Sequence, residues 1–325
     1  MTSVRTTGSL LVAALVALSS CVGWRSDGEE RLEELYPTSA APPPPTEPVD
    51  PCPLPDDDSL PALALPDIPD GAAVTGQWAV RLVQFGSMSP AGLGPWRIRL
   101  SDHFLAVPSA DGKSMDLTFC FQDVPLTDSD GKPISMGKTS MSENTRKAIA
   151  AVTVTVPAQI PAALPLPSLP VPPLPPSDAG TFQVGPVAWL WGVKSIAHPV
   201  TDALPTADDY AKDKNDPRIW DQDSDSHPGV TMAVESPPGD RYMARRSVWS
   251  FGQPKVGSYW VTGPLTFAVT ENALDATNPL LKTVAPISVR SECTSVYQLR
   301  WVDSTYTCSQ VSANSKVLWR DLPKP

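Results

Sequence analysis

Three aspartates at alternate positions, Asp221, Asp223 and Asp225, are the residues of this chain best spaced for chemistry. Carboxylates are hard oxygen donors, and a loop carrying them two residues apart can wrap around one hard cation such as calcium. Ser226 follows where a sharp turn calls for glycine, and Met232 stands where a bidentate glutamate would complete the ligand set. The spacing therefore predicts a weak calcium site at best. The alternative is an acidic, solvated turn leading through Pro228-Gly229-Val230-Thr231 into a strand.

Other chemical signals are sparse. The chain has no Gly-x-Ser-x-Gly turn, no His-Glu-x-x-His pair and no Cys-x-x-Cys. The stretch Gly131 to Thr139 has five residues between its glycines, where a phosphate-binding loop requires four. His103, His198 and His227 are scattered in sequence, with no recognisable nucleophile turn beside any of them. A non-enzymatic protein is expected. The net charge of −10 argues against nucleic acid, whose phosphates demand clustered Lys and Arg.

The elements that must position these residues read as β structure. Trp78, Val80 and Leu82 alternate with Gln77, Ala79 and Arg81, and Trp96, Ile98 and Leu100 with Arg97 and Arg99. Met115, Leu117, Phe119 and Phe121 alternate with Asp116, Thr118 and Cys120. Further runs follow at Val152–Val156, Val187–Val193, Met243–Phe251, Leu265–Val269, Val296–Val302 and Lys316–Arg320. Period-two alternation puts one face in a core and the other in water, which predicts an all-β fold, an antiparallel barrel or sandwich. Helix signals are confined to short segments after Ser142-Glu143 and Asn278-Pro279, and in the stretch Asp27–Tyr36. Of the ten tryptophans, Trp78, Trp96, Trp249 and Trp301 sit on alternating strands and read as core.

Proline divides the chain. Twelve prolines between Pro37 and Pro69 make residues 21–71 an extended, disordered stalk, and the β domain occupies 72–325. A second proline-rich segment, 157–178, is too dense in proline for a central strand and reads as a surface loop, with a linker as the alternative.

Residues 1–20 have the layout of a secretory signal: Arg5, then an apolar run of 11 residues from Gly8 to Leu18, then Ser19-Ser20-Cys21. Eleven residues are too few to span a bilayer, which takes about 20. The segment resembles the lipobox of bacterial lipoproteins. That resemblance implies that Cys21 is lipidated, becomes the mature N-terminus and attaches the protein to the membrane. Val22 lacks the aspartate of an inner-membrane retention signal, so an exported protein anchored in the bacterial envelope, at the outer membrane, is implied. With Cys21 assigned to the lipid, Cys52, Cys120, Cys293 and Cys308 form an even set that predicts two disulfides. Cys293 and Cys308 flank one short β segment, which favours their pairing and leaves Cys52 with Cys120.

Two weaker resemblances complete the reading. Residues 216–231 are similar to the Asp-x-Asp-x-Asp-Gly calcium loops of exported bacterial proteins and to a segment of uncharacterised envelope lipoproteins, with Ser226 in place of the glycine. Gly76-Gln77-Trp78 resembles the first-strand signature of calycin and lipocalin barrels, in which an arginine from a last strand, here Arg300 or Arg320, packs against the tryptophan. The functional expectation is an envelope lipoprotein whose β domain holds a small apolar ligand or serves as a structural module. A protein–protein module of a surface assembly is the alternative, and a hydrolase is a third class.

Overall fold

Alternating sequences pair antiparallel, and the described strands all do so. A computed structural model describes Leu54 and residues 77–89, 95–109, 114–134, 138–156, 184–252, 254–256, 260–289, 293–320 and 322, all within one unit, Asp50–Pro325. Apart from Leu54, a residue of the expected stalk that instead packs half-buried against Val83, Phe85, Cys293 and Val296, the segments expected to be signal, stalk, N-terminal helix and proline-rich loop, and with them Cys21 and Cys52, lie outside these residues.

In chain order the strands are β1 (Gln77–Met88), β2 (Trp96–Pro108), β3 (Met115–Asp123), β4 (Leu126–Thr127), β5 (Thr139–Met141), β6 (Val154–Val156) and β7 (Val184–Trp191). They continue with β8 (Val230–Val234), β9 (Gly239–Phe251), β10 (Lys255–Val256), β11 (Trp260–Ala276), β12 (Ile287–Val289) and β13 (Val296–Val302). The helices are α1 (Glu143–Ala150), capped by Ser142, α2 (Ala207–Lys212), capped by Thr206, and α3 (Cys308–Ala313), capped by Thr307. A 3-10 turn, Pro279–Leu281, follows Asn278 as expected. The main sheet order is β5-β8-β9-β11-β13-β1-β2-β3-β6. The late strand β13 lies between β11 and β1 and joins the two halves. The sheet curls into a half-barrel with few short helices.

The concave face is set by register. Trp78, Val80, Leu82 and Gln84 of β1 face the same way as Ala106, Phe104, Asp102 and Leu100 of β2, their cross-strand partners. Of these, Trp78, Val80, Leu82, Phe104 and Ala106 meet Trp189, Trp191, Trp249, Phe251 and Phe267 from the other half in one buried cluster. Phe104, Phe119, Trp189, Trp191 and Trp249 pack edge-on or tilted, with centroids 4.8–6.0 Å apart, as aromatic quadrupoles prefer. Ile149 of α1 joins the same cluster.

Four expectations need correction. First, β13 and the span Trp78–Gly86 of β1 are buried on both faces. The chain after β13 covers the convex side, where Val311, Leu318, Trp319 and Leu322 pack on Ala79, Leu105 and Val302. Lys316–Arg320, expected as a strand, is a run of turns in this cover, because Val317 and Leu318 donate back to Asn314 O.

Second, the register shifts between His103 and Phe104, leaving Cys120 as an extra residue on β3. The bulge reverses the alternation: Phe119 stays in the concave core, Phe121 stacks on His103 at 4.1 Å, and Gln122 turns inward opposite Asp102. Third, Cys120 is bonded to Cys308 at the start of α3, with Cα atoms 4.9 Å apart. Cys293 is also disulfide-bonded. The favoured Cys293–Cys308 pair is therefore wrong, because α3 carries Cys308 onto β3 and away from β13. Fourth, Arg300 pairs with Ala79 and Trp78 with Trp301, so Arg300 and Trp78 lie on opposite faces. Arg300 donates instead to Leu318 O at 2.8 Å. A guanidinium does face an indole, with the parts exchanged: Arg81 of the first strand lies 5.1 Å from the Trp319 ring.

Candidate functional site

A strand as long as β1 passes through two different interiors. At the Trp78 end the half-barrel is filled by aromatics. At the Met88 end it is hollow, with a cavity of about 380 Å³, within the size range of small-ligand pockets. Its walls are mostly apolar. Trp96, Ile98 and Leu100 come from β2, Met232 and Val234 from β8, Met243 from β9 and Ile287 from β12. Leu280, Leu281, Val284 and Ala285, on the connection from β11 to β12, close one side.

Between plug and cavity lies a layer of polar side chains at inward positions. Asp102 is wholly buried and accepts from Gln84 Nε2 at 2.6 Å and from Gln122 Nε2. Trp249 Nε1 donates to Gln84 Oε1 at 3.2 Å, which ties the layer to the aromatic plug. Arg245, 3% exposed, spreads its guanidinium 4.4 Å from the Trp191 ring. Its Nη1 reaches Gln122 Oε1 at 3.3 Å and the Glu271 carboxylate at 3.4 Å. Its Nε and Nη2 are buried with no hydrogen-bond partner among the described residues. Glu271 stands opposite Arg245 in the β9–β11 ladder, so the ion pair follows from register.

Burial sets the electrostatics of the layer. Desolvation raises the Asp102 carboxyl above its ordinary pKa, against the pull of Arg245 and of the two glutamine donors. Desolvation lowers Arg241, and the nearby Glu271 carboxylate opposes that shift. Arg241 is half-buried in the cavity wall and donates through Nε to Leu281 O at 3.0 Å.

The acidic loop lies elsewhere, ahead of β8, and the structure does bring its three carboxylates together. Oxygens of Asp221, Asp223 and Asp225 lie within 4.8 Å of one another. Most are already engaged by the loop itself. Asp221 accepts from the amides of Asp225 and Ser226, and Asp225 from the His227 amide and the Thr231 hydroxyl. Asp223 is buried, and its Oδ2 accepts from Thr145 Oγ1 of α1 at 2.7 Å and from Thr231 N at 3.0 Å. Its Oδ1 is buried without a hydrogen-bond partner among the described residues. Ser226 does adopt the turn conformation expected of glycine, with φ at +71°. The donor set fits a hard cation, with Asp223 Oδ1 as the oxygen left for it. Gln222 alongside accepts from Gly192 N and donates to Ala148 O, so the loop also pins α1 and β7 to β8.

The histidines do not assemble into a catalytic group. His103 is buried on the convex face, His198 is exposed in a turn, and His227 stacks on Tyr242 at 4.1 Å. None of them lines the cavity.

Sequence reasoning missed Asp102, Gln122, Arg241, Arg245 and Glu271. Their signal was polarity in phase with the core: Asp102 between Leu100 and Phe104, and Arg245 between Met243 and Trp249, at spacings of two. Compared with known protein families, with curated proteins and with solved structures, the chain matches none.

Proposed function

We propose that the protein is a non-enzymatic, envelope-anchored binding protein that holds a small, largely apolar molecule in the hollow end of its half-barrel. The supporting observation is the contrast between the two ends of one interior, packed solid at Trp78 and open over about 380 Å³ at Met88 and Trp96. Natural cores are close-packed, so an apolar void of this size beside a fully packed core fits a ligand better than it fits stability. A neutral fluorescent probe, N-phenyl-1-naphthylamine, tests the reading. It should brighten on binding in a saturable way, and Ala285→Trp should abolish the signal without lowering the melting temperature. Equal, unsaturable brightening of both proteins would refute a pocket site.

The anchor rests on residues 1–21 and on the lipobox they resemble. Cys21→Ser should move the protein from the membrane fraction to the soluble fraction, while the β domain stays folded. Persistence of this variant in the membrane fraction would rule the lipid anchor out.

A further inference from the structure

Resting on the pocket reading above, we infer that the ligand is a single-chain amphiphile with a monoanionic carboxylate head, received by Arg241 and Arg245 where the apolar cavity meets its polar layer. Three charged side chains line the cavity among the described residues: Arg241, Arg245 and Glu271. Two cations face one carboxylate, leaving a surplus of one positive charge. Arg245 shares its charge with Glu271 and Gln122. Arg241 forms no ion pair: Glu271 is near enough to favour its charge, yet beyond Nε to Leu281 O its guanidinium has no hydrogen-bond partner among the described residues. Its two terminal nitrogens are a fork of parallel donors, which matches the two oxygens of a carboxylate. Asp102 stands behind the layer and is not among the cavity-lining residues, and burial raises its carboxyl above the ordinary value.

The rest of the cavity specifies the tail. Met88, Met232 and Met243 are unbranched and adaptable, and with Ile98 and Leu100 they present no fixed donor or acceptor. A flexible alkyl chain fits such a wall better than a rigid polar ring does. The charge count also separates head groups. A phosphate monoester brings nearly two negative charges near neutral pH, against a surplus of one.

The experiment compares dodecanoate, dodecyl phosphate, dodecanol and dodecylamine as competitors of the bound naphthylamine probe at pH 8. Dodecanoate should bind about tenfold or more tightly than dodecanol, as expected for a desolvated charge-assisted hydrogen bond. Arg241→Gln should erase that preference, weakening dodecanoate far more than dodecanol, and Arg241→Lys should keep part of it. Thermal melting of each variant checks that it is folded. Equal binding of dodecanoate and dodecanol, or a preference that survives Arg241→Gln, would overturn the head-group assignment while leaving the apolar pocket in place. Tightest binding of dodecyl phosphate or of dodecylamine would also overturn it. Failure of all four to displace the probe would bring down the pocket reading itself.

Discussion

Trp319 stands in a segment expected to be a strand and is instead the keystone of the cover on the convex face. It is wholly buried, lies 5.1 Å from the Arg81 guanidinium and 6.0 Å from His103, and packs with Leu318, Val311 and Leu322. Trp319→Ala removes a fully buried indole, a change that costs about 3–5 kcal/mol in packed cores. Arg81 also loses its aromatic face, a contact worth roughly 0.5–2 kcal/mol. Water entering the vacated space would hydrate the guanidinium and offset part of that second loss, so the expected total is about 4 kcal/mol. At roughly 2–4 °C per kcal/mol for a domain of this size, the melting temperature should fall by about 8–16 °C. Trp319→Phe keeps most of the packing and should lose less than half as much. Circular dichroism during urea and thermal unfolding reads both variants without relying on tryptophan fluorescence. A loss below about 1 kcal/mol for Trp319→Ala would mean that the C-terminal segment does not seal the sheet, and the two-faced burial of β1 and β13 would be wrong.

Three further outcomes are expected. Peptide mapping without reduction should recover Cys120 linked to Cys308, and Cys308→Ser should cost roughly 2–5 kcal/mol, since the bond closes a separation of 188 residues. Burial, with Arg81 and Arg99 nearby, holds the His103 pKa well below its ordinary 6.5. The unfolded chain therefore takes up a proton that the fold refuses, and stability is lost as pH falls below 6.5, by up to about 1.4 kcal/mol per unit. Asp102, raised above 3.8, opposes this trend at the acid end of the range, so the reading is the difference between wild type and His103→Gln, whose slope should be flatter. Calcium at 10 mM against a millimolar site should stabilise the fold by about 1.4 kcal/mol, or about 3–5 °C, with a larger shift in Ser226→Gly. No shift in either protein would leave the Asp221–Asp225 loop as a turn satisfied by its own amides.

The period-two pattern was legible because it is local. Each stretch of alternation from Trp78 to Val302 became a strand, since alternate burial needs only the pleat. Misreadings arose where a distant segment or a single bulge intervened. Nothing near Ala79 or Arg81 shows that α3 and Trp319 will cover them, so their face was assigned to water. The bulge at Cys120 moves Phe121 and Gln122 to faces opposite those that strict alternation gives. The same residue joins Cys308, so disulfide pairing followed topology rather than proximity in sequence. The Asp loop was found because its three ligands are contiguous. The polar layer was missed because its members come from β1, β2, β3, β9 and β11 and meet only in space.

The bulge links these observations into an account of the interior. Without the extra residue at Cys120, Gln122 would point to the convex face and Phe121 into the barrel. An aromatic ring would then stand beside Asp102 where an amide now does. The inward amide donates to Asp102 through Nε2 and accepts from Arg245 through Oε1, so it connects the acid on β2 to the cation on β9 across the half-barrel. A carboxyl with no polar neighbours in this core would carry a heavy desolvation cost, as would an arginine with no acceptor. The bulge gives Asp102 a second amide donor beside Gln84 and Arg245 a second acceptor beside Glu271, at one level of the interior, and that level divides plug from cavity. Cys120 itself stays on the convex side, where it joins Cys308, so the residue that anchors the convex cover is also the one whose insertion places the cavity floor. The two roles should separate in mutants: Cys308→Ser should weaken the fold while sparing selectivity for the anionic head, and Gln122→Leu should weaken both.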